Sequence, residues 1–169
     1  MKKLVLTLAI VFAGVMSMNA QGLWIGGGAG AKVEKGFTMF EVAPEIGYVI
    51  NDQFQVALGA DYTFAHAGAN VNILYLEPYV RYVGGTIGKK FSLFVDLCGD
   101  FGLIDGGGYA VLLRPGVAWQ ATDNFTAAFR LGYAGYDHGF VDGTAFRSDN
   151  GFVMNCDLAA PQIRLYYNF

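Results

Sequence analysis

After residue 20 this chain has no apolar run long enough for a membrane-crossing helix. Spanning a bilayer takes about 20 consecutive apolar residues. The one long run, Leu4 to Met16, has 13 and follows Lys2 and Lys3. It leads through Ser17-Met18-Asn19-Ala20 to a small-residue cut before Gln21, the pattern of a secretory signal peptide over residues 1–20. Charge is also scarce, with 15% of residues charged and a formal net charge of −3. There is no basic stripe and no zinc spacing, which excludes nucleic acid as a partner. Two cysteines are too few for a disulfide framework. Cys98 and Cys156 fall at different heights on non-adjacent strands, so two free thiols are expected.

What is present is alternation. Residues 21–169 form one domain of 149 residues with a net charge of −5. Hydrophobic residues make up 54% of the full chain and aromatics 15%, in segments of period two. All four prolines occupy one phrase, Pro44-Glu45-Ile46-Gly47-Tyr48, with counterparts at Pro78, Pro115 and Pro161. They recur after 34, 37 and 46 residues, which marks a repeated strand pair and predicts eight strands.

Each predicted strand carries one apolar face. Phe54, Val56, Leu58, Ala60 and Tyr62 alternate with Gln55, Ala57, Gly59 and Asp61. Strand four is read as Leu74 to Tyr82, with a turn over Gly84 to Lys90, and strand seven as continuous from Phe125 to Tyr133. About ten residues at ~3.3 Å rise and ~40° tilt give roughly 25 Å, the height of an apolar membrane band. Tyr48, Phe54, Tyr82, Phe91, Trp119, Phe125, Tyr167 and Phe169 cluster at the short turns as one aromatic girdle, with Phe64, Phe101, Tyr109 and Tyr133 towards the other end. Backbone in lipid has no water to pair with, so the sheet must close. The fold expected is all-β: a closed eight-stranded antiparallel up-and-down transmembrane β-barrel, with glycines on the inner face of strand one leaving room for long side chains.

The signal peptide, the eight alternating strands and the ending Ile163-Arg164-Leu165-Tyr166-Tyr167-Asn168-Phe169 resemble small eight-stranded outer-membrane barrels of Gram-negative bacteria, of the OmpA transmembrane-domain and OmpX type. That resemblance implies the cell outer membrane as location and lipid or lipopolysaccharide as surroundings. It also implies that Ile163, Leu165, Tyr167 and Phe169 present an assembly signal to the barrel-assembly machinery. A monomer is expected.

The inward face carries Glu45, Glu77, Arg81, Asp96, Arg114, Arg130 and Arg164, with Glu41 and Asp61 beside them. Glu77, Asp96, Arg114 and Arg130 each lie five residues from a girdle aromatic, at one level on four consecutive strands. Counted as two acids against two bases the level is neutral, which favours an ion-pair network plugging the barrel over an ion path. The function expected is a non-enzymatic envelope-structural or surface-interaction role. A narrow porin-like channel and a lipid A-modifying enzyme are the alternatives. The enzyme would draw on His66, or on His138 with Ser148 and Asp137, Asp142 or Asp149, but no spacing there matches a catalytic motif. No catalytic residue, cofactor or metal is assigned. Each proline lies on the outward parity without an N–H to give, so a bulge or local gap in the ladder is expected beside it.

Overall fold

The computed structural model describes residues 22–66, 68, 70–104, 107–139, 150–156 and 162–169. The expected leader, Pro161 and the loop residues 140–149 lie outside that set. Ten strand segments follow one another: β1 (Leu23–Glu34), β2 (Phe37–Val49), β3 (Phe54–His66), β4 (Asn70–Ile87), β5 (Phe91–Ile104), β6 (Tyr109–Gln120), β7 (Phe125–Arg130), β8 (Tyr133–His138), β9 (Gly151–Asn155) and β10 (Gln162–Asn168). β6 pairs along both β7 and β8, so these two are halves of one stave. β10 pairs with β7 and β9 with β8, which makes β9 and β10 halves of the next. β1 pairs with β2 on one side and with β10 on the other. The result is a closed antiparallel barrel of eight staves.

Period-two alternation sorts the side chains as expected. Leu97 is 51% exposed on the outer wall, while its neighbours Asp96 and Cys98 are at 0% and 1%. Both cysteines are free, Cys98 inside and Cys156 exposed. The lumen is layered. Trp24, Tyr79, Phe94, Cys98, Ala128 and Tyr166 pack together nearer the short turns. Ala110 and Leu112 pack with Tyr75, Tyr133 and Val153 nearer the loops.

Two segment boundaries differ from expectation. β4 does not stop at Tyr82. It shifts register between Val83 and Gly85 and pairs on through Ile87↔Phe91, leaving Gly88–Lys90 as the turn. A bulge lets the strand absorb Gly84, which the sequence offers as a turn residue. The second correction concerns Tyr133. Between β7 and β8 the chain kinks at Gly132, with φ at +150°, and the β6 register shifts by one. One extra residue reverses the parity, so Tyr133 points into the lumen and Tyr136 takes the outer position. Tyr133 therefore does not belong to the second aromatic girdle.

The described prolines behave alike. Pro44 pairs with Gly27 on the β1 side, but the β2–β3 ladder is interrupted between Val42↔Tyr62 and Glu45↔Gly59. Pro78 pairs with Leu58, and the β4–β5 ladder is interrupted between Leu76↔Phe101 and Tyr79↔Cys98. Pro115 pairs with Val95, and its other side is where β7 gives way to β8. Each gap lies on one flank only, the flank facing the next stave in the chain. At Pro115 the gap includes a register shift. At Pro44 and Pro78 the register resumes unchanged.

Glycine makes the lumen wide enough for its contents. A Cβ on Gly47 would lie 2.1 Å from the Trp24 ring, and one on Gly28 would lie 2.5 Å from the Arg164 guanidinium. At Gly116 it would meet Phe94 at 2.3 Å and the Phe129 carbonyl oxygen at 2.6 Å. Gly116→Val should therefore lower stability by about 1–3 kcal/mol, the usual range for overpacking. Gly85→Ala has open space within 4 Å and should change it little. Urea unfolding of the two variants beside the parent chain checks this.

Candidate functional site

The charged side chains of the lumen form one connected network. Arg130, on β7, is 1% exposed. Its Nε donates to Asp96 Oδ2 at 3.0 Å and its Nη1 to Glu77 Oε1 at 2.8 Å. Glu45 Oε1 lies 3.9 Å from the same Nη1. Arg81, on β4, forms a two-pronged pair with Asp96 on the adjoining strand, Nε to Oδ1 at 2.7 Å and Nη2 to Oδ2 at 2.9 Å. Arg114, on β6, donates through Nη1 to Glu77 Oε2 and through Nη2 to Asp100 Oδ2, the latter at 2.6 Å.

Arg164, on β10, serves the opposite wall. Its Nε lies 2.9 Å from Glu45 Oε1 as an ion pair without hydrogen-bond alignment. Its Nη2 donates to Asp61 Oδ2 at 3.4 Å, and its Nη1 lies 3.7 Å from Glu41 Oε1. Two phenols complete the set, with Tyr79 and Tyr166 donating to Glu45 Oε2 at 2.7 and 3.2 Å. The guanidinium faces are used as well. Arg81 sits 3.9 Å from the Phe94 ring centroid and Arg130 sits 4.9 Å from that of Tyr79. Such cation–π contacts add attraction to the ion pairs.

All seven predicted network residues, Glu45, Glu77, Arg81, Asp96, Arg114, Arg130 and Arg164, are buried in the lumen. The four assigned to one level are joined in a chain, Asp96 to Arg130 to Glu77 to Arg114. The expected neutrality does not extend to the network as a whole. Four arginines meet five buried acids, because Asp61 and Asp100 belong to it. Asp100 lies on the inward parity of β5, which the alternation marks, but four residues above Asp96. Its membership depends on the reach of Arg114, which backbone level does not reveal.

Chemically, the network acts as a cross-brace. It takes side chains from β2, β3, β4, β5, β6, β7 and β10, so only β1 among the full-length staves gives none. β1 gives space instead, through Gly28 and Gly30 beside Arg164 and Glu41. Among the described residues no three His, Cys, Asp or Glu side chains are grouped to hold a metal ion. His66 Nδ1 is 2.6 Å from Asn70 Oδ1 at the loop end. His138 stacks on Tyr109 at 5.2 Å, while its neighbour Asp137 is buried on the other face of β8. Ser148, Asp142 and Asp149 lie outside the described residues.

Removing one member of a buried pair strands the other, at a cost of about 3–5 kcal/mol. Arg114→Ala should therefore lower the heat resistance of the folded barrel on gels, since it leaves Glu77 and Asp100 short of a partner. Replacing Arg114, Glu77 and Asp100 together by Met and two Leu should lower it less than Arg114→Ala does, because Arg130 keeps Asp96 and Glu45. Equal heat resistance in all of these chains would show that the network does not brace the wall.

No protein-family model matches this chain and no curated protein matches it, so what is established is an eight-stranded antiparallel barrel with a network of buried charges in its lumen.

Proposed function

We propose that the chain is a non-enzymatic integral outer-membrane barrel, closed by its own ion-pair network, with an envelope-structural or surface-interaction role. One observation carries the membrane placement: aromatic side chains stand in two belts on an outer wall that is otherwise apolar. Phe54 and Phe64 on β3, Phe91 and Phe101 on β5, and Trp119 and Tyr109 on β6 are each ten residues apart. At ~3.3 Å per residue and ~40° tilt this is about 25 Å, the thickness of the hydrocarbon band a barrel crosses. Between the belts Val95, Leu97, Val111 and Leu113 are exposed, while the charges face inward. A water-soluble domain does the reverse, because solvated charge is cheap and a large apolar surface is not.

Several further features support the reading. A polar lumen suits a membrane barrel, whose charges are shielded from lipid by the wall. Ile163, Leu165, Tyr167 and Phe169 all point outward, 46–54% exposed, as an edge signal for the barrel-assembly machinery would need. The leader over residues 1–20 would supply export, and lipopolysaccharide would surround the loop end. The network draws on seven of the eight staves, which favours a plug over a channel.

Single-tryptophan variants test the placement. In vesicles of bromine-labelled lipid, Trp119, 40% exposed on the wall, should be strongly quenched. Trp24, 2% exposed inside, should be nearly unaffected. Equal quenching of both, or a folded monomer that stays in water without detergent, would rule the membrane reading out. Planar bilayers test the plug: the parent chain should show no steady openings, and Arg114→Ala should be the more conductive of the two. Large, stable openings in the parent chain would make it a channel.

A further inference from the structure

The barrel closes through its shortest ladder. β1 pairs with β2 along its whole length, from Leu23 to Glu34, but with β10 only from Trp24 to Gly27. Above that point Arg164, Ile163 and Gln162 keep their partners on β7 and have none on β1. β9 pairs with β8, from Asp137↔Gly151 to Tyr133↔Asn155, and with no other strand. Among the described residues, therefore, no ladder joins β1 to the last stave beyond Gly27. Backbone direction follows the alternation of an antiparallel pair. The Leu23 carbonyl accepts from Phe169 N–H and the Gly22 carbonyl from Val49 N–H, so odd-numbered residues of β1 turn towards the last stave. The N–H and C=O groups of Ala29, Ala31 and Val33 thus lie on the unzipped flank.

Side chains take over where the ladder stops. Arg164 carries the last stave's only side-chain charge among the described residues. It crosses β1 at Gly28, where an added Cβ would lie 2.5 Å from its Nη1 and 3.1 Å from its Cδ. Beyond β1 it meets Glu45 at 2.9 Å, Asp61 at 3.4 Å and Glu41 at 3.7 Å, on β2 and β3. Lower on the same flank the Tyr166 ring lies 4.5 Å from that of Trp24, and its hydroxyl donates to Glu45 at 3.2 Å. Arg81 and Arg114 are placed differently. Their acids lie on β4 and β5, strands that ladders join to their own. Those two arginines reinforce a wall that the backbone already holds, whereas Arg164 spans a flank that the backbone holds only in part. Parting this flank breaks the fewest backbone bonds. Arg164 opposes it, because pulling the guanidinium from three carboxylates would strand buried charge on both sides.

We propose that the flank between β1 and the last stave is a lateral seam that opens before any other part of the wall, with Arg164 as its latch. The inference rests on the barrel and its ladders, and not on where the barrel resides. Amide hydrogen exchange reads such local opening, since a protected N–H exchanges only when its ladder parts. Ile25 and Tyr167 face each other across the paired part of the seam. Leu97, paired with Val80 on one flank and Leu113 on the other, reports the closed wall. Exchange is followed residue by residue by NMR on the folded full chain in detergent micelles. In the parent chain Ile25 and Tyr167 should exchange at least about tenfold faster than Leu97. Arg164→Gln keeps a hydrogen-bonding side chain but no charge, and should widen that ratio about tenfold further. Arg114→Gln also removes a buried guanidinium, yet should leave the ratio within about twofold of the parent. Equal protection of Ile25, Tyr167 and Leu97 in the parent chain overturns the seam, whether or not Arg164→Gln folds. Equal effects of the two variants on the ratio would make Arg164 an ordinary brace and overturn the latch.

Discussion

Arg130 is the point on which the lumen depends. Its guanidinium reaches acids from three other staves: Asp96, Glu77 and Glu45 on β5, β4 and β2. It stands in a narrow lumen, because eight staves enclose a space only wide enough for side chains. A charge there has no bulk water to fall back on, so it must be answered by other side chains. The remaining arginines repeat that logic. Arg81 answers Asp96 from the adjoining strand, Arg114 answers Glu77 and Asp100, and Arg164 answers Glu45, Asp61 and Glu41 on the far wall.

Space had to be made before charge could be paired. Gly28 lies beside Arg164, Gly47 beside the Trp24 ring and Gly116 beside the Phe94 ring. Phe94 in turn lies under the Arg81 guanidinium, so the missing side chain of Gly116 bears on the position of an ion pair one strand away. Glycine weakens a strand in isolation, since it packs nothing and loses more freedom on folding. Inside a closed barrel that weakness is offset by the contacts it admits. β1 is the clearest case: beyond Trp24 its inner face runs through Gly26, Gly28 and Gly30 and adds no charge to the network, yet Arg164 could not lie across the lumen without the room at Gly28.

Strand identity, barrel closure and the identity of the buried charges were legible because all three follow from parity. Parity is the most conservative property of a β-strand, and it survives errors of one or two residues in where a strand begins. It fails where an extra residue enters the ladder. Leu131-Gly132 reads as two more members of an alternating strand, yet the backbone kinks there and turns Tyr133 inward. Nothing in the local composition separates that glycine from the inner-face glycines that leave parity intact. Val83-Gly84-Gly85 misleads in the opposite direction, with turn-like residues absorbed into β4 as a bulge. The prolines were more readable because their constraint is chemical: a missing N–H must interrupt one ladder, and it does so at Pro44, Pro78 and Pro115. Asp61 was readable as part of the lining, but the membership of Asp100 was not, because it is set by how far Arg114 reaches, which backbone level does not encode.

The three proline gaps and the network are connected by geometry. Pro44 immediately precedes Glu45, Pro78 follows Glu77, and Pro115 follows Arg114. Each interruption in the wall therefore stands next to a residue whose side chain crosses the lumen. A strand held on both flanks has little freedom to tilt a side chain, whereas one released on a single flank can adjust without losing its other partner. Glu77 needs that freedom most, since it receives both Arg114 and Arg130, and it sits beside a gap on the β5 flank. Arg114 needs it too, since it must reach Glu77 on one strand and Asp100 on another. The repeated proline phrase thus does more than count hairpins. It places a loosened backbone beside three of the charges that brace the barrel, so the wall is least regular where the lumen is most tightly tied.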